Sequence, residues 1–168
     1  MVFLQQLLSS FWFFLPAAIA NMAPILFKNF NFLNYPVDFG TKINGKPVLG
    51  KNKTLRGFFV GVLSAILISY IQKLIYPFTG YFNAVDYSQI NALLFGFLQG
   101  FSALFGDAIK SFFKRRFDIA PGEPWIPFDQ IDWIIVSIIF TLGYANFEIT
   151  VLVSTIVLYS LLHVVFNY

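Results

Sequence analysis

The chain has 168 residues, of which 58% are hydrophobic and only 11% charged; the formal net charge is +3 and mean hydropathy is +0.72. A soluble domain carries about 25% charged residues, so the composition excludes an ordinary water-soluble fold and points to an integral membrane protein. With no cysteine, disulfides and thiolate metal sites are excluded as well, and no nucleic-acid partner is expected.

A spanning helix needs about 20 apolar residues. Five segments qualify as candidates: residues 3–27, 55–76, 90–113, 131–144 and 149–166. The first is too long for a signal peptide, has no basic n-region and contains Trp12, Pro16 and Pro24, so it reads as a retained span. Residues 28–56 then hold six of the eleven Lys and Arg residues. The second span opens on a GxxxG pattern, Gly57 to Gly61, and the third carries another, Gly96 to Gly100. Both patterns let helix backbones approach closely. Asp86 is the only charge between these two spans. Four more cations, Lys110, Lys114, Arg115 and Arg116, follow at the end of span three, leaving only Lys73 elsewhere. The fourth span is short, and residues 143–148 turn it back into the fifth. The expected architecture is an all-α bundle of five transmembrane helices forming a single domain, residues 1–168. The positive-inside rule puts both basic loops in the cytoplasm, the N-terminus outside and the C-terminus inside.

In a chain this poor in charge, ionisable groups beside the bilayer mark function. Asp107, Lys110, Ser111 and Lys114 fall at i, i+3, i+4 and i+7, one stripe on a helix. Snorkelling explains Lys114, Arg115 and Arg116; it does not explain Asp107, a turn or more deeper. Asp129 and Asp132 stand at i and i+3 where span four begins. Helix capping would account for Asp129, but Asp132 is already inside the apolar run. Hard carboxylates of this kind suit Mg²⁺ shared with substrate phosphates. Glu123, in a Pro-Gly turn, reads as a loop residue.

The first basic loop nearly matches a P-loop from Gly45 to Asn52, yet it lacks the metal-binding hydroxyl and the surrounding βαβ unit. Gly50 followed by Lys53-Thr54-Leu55-Arg56 supplies a different anion site: a helix N-terminus with free N–H groups and two cations. His163, in span five, reads as a packing residue, and Asn21, beside Pro24, carries either a packing or a binding reading.

Asp107-x-x-x-Ser111-x-x-Lys114-Arg115, with Pro121-Gly122 and then Asp129-x-x-Asp132, resembles the signature of the membrane CDP-diacylglycerol synthases, or phosphatidate cytidylyltransferases. The HGG of that signature is absent, and Gln130 stands where it has arginine. The variant Pro127 to Asp132 is similar to the archaeal CDP-archaeol synthase branch. So are Leu15-Pro16-Ala17 with Ala20 to Pro24, and Gly45 to Gly50 with Lys53 to Gly57. The resemblance implies transfer of CMP from CTP to an isoprenoid ether lipid phosphate, 2,3-bis-O-geranylgeranyl-sn-glycerol 1-phosphate. It implies Mg²⁺ on Asp107, Asp129 and Asp132, and phosphate contacts from Lys53, Thr54, Arg56, Lys114 and Ser111. Gly50, Lys110, Arg115 and Asn21 complete the expected substrate-binding set, in a multi-pass cell-membrane protein whose active site faces the cytoplasm.

Other classes fit less well. A transporter calls for ionisable groups near the midplane of several spans, where only His163 stands. A noncatalytic lipid-binding scaffold explains lysines but not three carboxylates among them. A CDP-alcohol phosphotransferase would carry DGxxAR, which is absent. An ester-linked phosphatidate remains the alternative lipid.

Overall fold

The computed structural model describes residues 2–79 and 84–167; residues 80–83 of the expected external connection lie outside the described residues. Five helices form where five apolar segments were expected: α1 Val2–Leu26, α2 Leu55–Thr79, α3 Ala92–Arg116, α4 Phe128–Thr141 and α5 Ile149–Asn167. The first three are 25 residues each, about 37 Å at 1.5 Å per residue, enough for a hydrocarbon core of about 30 Å. Among the described residues, these three helices have the length and hydropathy to cross a membrane. α5 is 19 residues. α4 has 14, about 21 Å, so its apolar run alone falls short of a full crossing.

One element departs from the all-α expectation. β1 Lys42–Ile43 and β2 Lys46–Pro47 pair antiparallel, Lys42 opposite Pro47 and Ile43 opposite Lys46. Asn44 and Gly45 make the turn, both at positive φ (52° and 77°), the Asn-Gly signature of a tight hairpin. The stretch that mimics a P-loop, Gly45 to Asn52, therefore begins in the hairpin turn and continues beyond it as loop.

α3 is the central helix, packed on α1, α2 and α4. Its N-terminus is capped by Asn91, whose side chain accepts from the Leu93 and Leu94 N–H groups. The two GxxxG patterns do what they promise. A Cβ at Gly96 would lie 2.6 Å from Ile66 Cα, and one at Gly100 would lie 2.8 Å from Ala65 Cβ, so α2 and α3 touch backbone to backbone. Gly106 performs the same service on the other side of α3. A Cβ there would stand 2.6 Å from the Asp132 carbonyl oxygen, which brings the start of α4 against α3 one residue before Asp107.

Neutral polar bonds join the helices elsewhere. Gln72 donates to the Trp12 carbonyl (2.7 Å) and accepts from the Tyr87 hydroxyl (2.9 Å). Ser10 and Thr155 share a hydrogen at 2.6 Å, and Tyr159 donates to the Phe11 carbonyl at 2.7 Å. Around them, Phe13, Phe14, Phe95, Trp133 and Ile134 form the core. Leucines and phenylalanines such as Leu63, Leu67, Phe78 and Leu93 stay exposed, the apolar outer surface a bilayer protein needs.

Candidate active site

The site lies where the C-terminal half of α3 meets the beginnings of α2 and α4. A cavity of about 670 Å³ opens there, within the usual range for ligand pockets of about 300–1,000 Å³. Its wall contains six cationic side chains, Lys28, Lys51, Lys53, Arg56, Lys110 and Lys114, against three carboxylates, Asp107, Glu123 and Asp129. An excess of positive charge around an open cavity concentrates anionic ligands.

The helical stripe at Asp107, Lys110 and Lys114 faces the cavity as its spacing requires. Lys110 stands at its centre. The ammonium lies 2.9 Å from Asp107 Oδ1, 3.0 Å from Asp129 Oδ1 and 2.9 Å from Asp132 Oδ2. Lys53 reaches across from the start of α2 to pair with the other oxygen of Asp107. Lys114 sits 3.3 Å from both oxygens of Asp129 and also donates to the Glu123 carbonyl. Asp129 Oδ2 further accepts from the Trp125 N–H at 2.5 Å, which fixes the entry into α4. Asp132 lies beneath the cavity floor, its side chain 8% exposed. Both its oxygens are buried, and the Lys110 ion pair reaches only Oδ2.

The remaining sequence-predicted residues divide into two groups. Asn21, Thr54 and Arg56 line the main cavity. Thr54 Oγ1 accepts from the Gly57 N–H at 3.2 Å, so its hydroxyl caps α2. Arg56 is buried and donates to the Phe30 carbonyl, tying α2 to the loop after α1. Gly50, Ser111 and Arg115 line a smaller adjoining recess of about 90 Å³ that shares Lys53, Lys110 and Lys114 with the main cavity. Ser111 Oγ donates back to the Asp107 carbonyl at 2.9 Å. Gln130, at the position of the signature arginine, is 3% exposed, and neither atom of its amide has a partner.

Several contributors escaped the sequence reading. Lys28, Asn34, Asn52 and Glu123 line the cavity, and so does His163, which reaches it from α5 rather than merely packing. Asp38 organises the loop below them. Its carboxylate accepts from the N–H groups of Leu49 (2.8 Å), Gly50 (3.2 Å) and Gly40 (3.0 Å). Burial pushes the Asp38 carboxyl up, but these donors outweigh it and hold the pKa below the usual carboxylate range. Arg116 latches the hairpin to the end of α3. It donates to the carbonyls of Ile43 (3.0 Å), Lys46 (3.2 Å) and Pro47, while Lys46 pairs with Asp118 at 2.5 Å. Asn44-Gly45 was the available signal for the hairpin; nothing in the local sequence announces the partners of Arg116.

Among the described residues, no three acidic or histidine side chains stand together as a ready metal site; the Lys110 ammonium lies between the three aspartates. The donor chemistry nonetheless fits a hard divalent ion. Asp107, Asp129 and Asp132 supply only oxygens and each sets one of them within 3.0 Å of the Lys110 ammonium.

Helices long enough to cross a bilayer, with a cationic cavity at one end of the bundle, define a class: a membrane-embedded enzyme for anionic substrates. Comparison with known proteins narrows the class. A family model described as CarS-like CDP-archaeol synthase matches residues 3–168, and the chain belongs to that family of CTP-dependent cytidylyltransferases. It is 36% identical to the CDP-archaeol synthase of Pyrococcus furiosus over 82% of this chain and 76% of that one. It is 35% identical to the CDP-archaeol synthase of Thermococcus onnurineus over 98% of this chain and 92% of that one. A solved structure described as an intramembrane enzyme for archaeal membrane lipids biosynthesis superposes with a TM-score of 0.78 at 26% identity, covering 96% and 94% of the two chains.

Proposed function

We propose that this enzyme transfers CMP from CTP to the phosphate of 2,3-bis-O-geranylgeranyl-sn-glycerol 1-phosphate, releasing pyrophosphate and CDP-archaeol in its unsaturated form. The observation that carries this reading is one cavity in which cations from the α1–α2 loop, α2 and α3 meet carboxylates from α3 and α4. A lipid phosphate oxygen attacks the α-phosphorus, and the bond to the bridging oxygen of the β-phosphate breaks. The nucleophile is the substrate's own oxygen, so the protein's task is positioning and charge stabilisation. Lys53 and Arg56, at the start of α2, and Lys114, at the end of α3, hold the triphosphate and the lipid phosphate close despite their mutual repulsion. Asp107, Asp129 and Asp132 would hold Mg²⁺, which supplies charge neutralisation to the phosphates when bound.

In this reading all five helices cross or enter the bilayer, with the N-terminus outside and the cavity facing the cytoplasm, where CTP is made. The polyprenyl chains lie along the apolar helix faces, and the headgroup rises into the cavity. Purified protein, given CTP, Mg²⁺ and a panel of ether and ester lipid phosphates, should release pyrophosphate fastest with the geranylgeranyl ether. Preference for ester-linked phosphatidate would replace the lipid assignment, and no release with any lipid would end it. Cysteines placed at Asn44 and Gly122 should label only from the cytoplasmic side; labelling from outside would invert the topology.

A further inference from the structure

Lys110 occupies a place that substrate binding alone does not explain. A cation that only met phosphate would need no carboxylates gathered around it. This ammonium instead sits within 3.0 Å of three carboxylates drawn from two helices, and its side chain is 13% exposed. Brought this close, the carboxylates repel one another, and a central cation offsets that repulsion. Yet of the two buried Asp132 oxygens the ammonium meets only Oδ2, so the cluster keeps an oxygen that the lysine does not use. A divalent ion carries twice the charge and approaches oxygens to about 2.1 Å. It cannot share the point with an ammonium. The lysine has somewhere to go: its stem is flexible, and the residue lines the wall of the main cavity.

We propose that Lys110 is a built-in placeholder cation. It keeps Asp107, Asp129 and Asp132 together in the metal-free protein. It gives up that position to a divalent cation and swings into the cavity, where its ammonium meets substrate phosphate. The inference rests on the metal reading given under the proposed function.

Two measurements on purified protein in detergent test it: melting in EDTA and in Mg²⁺, and Mn²⁺ binding followed by electron paramagnetic resonance. Wild type should melt only slightly higher in Mg²⁺ than in EDTA, because the ion must first displace the lysine that already holds the cluster. Lys110→Met should lose several degrees in EDTA and recover in Mg²⁺, and it should bind Mn²⁺ at least tenfold more tightly than wild type. Equal or weaker Mn²⁺ binding by the variant, or an unchanged melt in EDTA, overturns the placeholder role while leaving the metal reading intact. No Mn²⁺ bound by either protein overturns both. Should the variant fail to fold, acetylation of wild type by acetic anhydride, read by mass spectrometry against exposed Lys42, still decides. Mg²⁺ alone should raise labelling of Lys110 severalfold over EDTA, and unchanged labelling overturns the proposal.

Discussion

The two ends of the helical bundle both bury polar groups, but of different kinds. Around Lys110 they are ions. Some 24 Å along α2 from Arg56, at 1.5 Å per residue, they are neutral: Gln72 bridges the Trp12 carbonyl and the Tyr87 hydroxyl. The cavity at the charged end holds about 670 Å³ and is lined by lysines and carboxylates. The one beside Phe13, Phe147 and Thr141 holds about 140 Å³ and has no charged residue in its wall. Neutral hydrogen bonds suffice to join helices in a bilayer. Buried charges need partners or a ligand to justify them, so the contrast separates the glue of the fold from its chemistry.

The strongest way to break that contrast is Asp132→Asn. Asparagine keeps the shape and caps a helix as well as aspartate does, but on the proposed metal reading it removes a charge that would offset the ion's. Activity should fall roughly a thousandfold, the equivalent of about 4 kcal/mol, with the melting temperature in metal-free detergent near normal. EDTA should silence wild type, and Mg²⁺ should restore it. Near-normal Mg²⁺-dependent turnover in this variant would reduce Asp132 to a structural residue.

Lys53→Ala should come next. Losing one charge-assisted contact costs about 1.5–3 kcal/mol, roughly 10- to 150-fold in kcat/KM for CTP. Arg56→Ala should match it in activity but also lower the melting temperature, because Arg56 is buried against the Phe30 carbonyl. Unchanged kinetics in both would make the loop a membrane anchor only.

At the neutral end, Gln72→Leu should show the opposite pattern. Stability drops by about 1–2 kcal/mol, read as a lower thermal midpoint, while turnover per folded molecule holds. Lost turnover at an unchanged midpoint would erase the distinction between the two ends.

The smallest effect concerns Asp38. Its carboxyl is held below the usual range, so the stability it lends the loop is present above its unfolded pKa of about 3.9. That stability is lost as pH falls through the lower folded value. Protection of the Leu49 and Gly50 amides from hydrogen exchange should fade below about pH 4 in wild type. It should already be weaker and flat with pH in Asp38→Asn; a pH-dependent profile in that variant would assign the effect to another group.

Much of this was legible from spacing. The stripe at Asp107, Lys110 and Lys114 needed only helical periodicity, and Asp132 stood out because it lies within an apolar run. What spacing could not show was the distance between stripe and pair. The interhelical gap is set by Gly106 against the Asp132 carbonyl, and only that gap turns Lys110 from a phosphate ligand into the centre of a carboxylate cluster. Arg116 hides for a similar reason. It looks like one more snorkelling cation, yet its bonds go to a hairpin about seventy residues earlier. The five segments likewise predicted five helices, but the shortfall of α4 follows from where Pro127 and residues 143–148 interrupt the apolar run.

Gly106 also carries a consequence for how variation can reach this enzyme. A methyl group there would collide with a backbone carbonyl at 2.6 Å, which no side-chain rotation relieves. Every aspartate and lysine would still be present, and the chain would still look intact to anyone inspecting its reactive residues. The helices would nevertheless stand apart by a fraction of a bond length, enough to loosen contacts now at 2.9 to 3.0 Å. Tolerance in the site is thus set by the smallest residue beside it, and a silent-seeming substitution of one hydrogen could disable what a swap of whole side chains elsewhere leaves working.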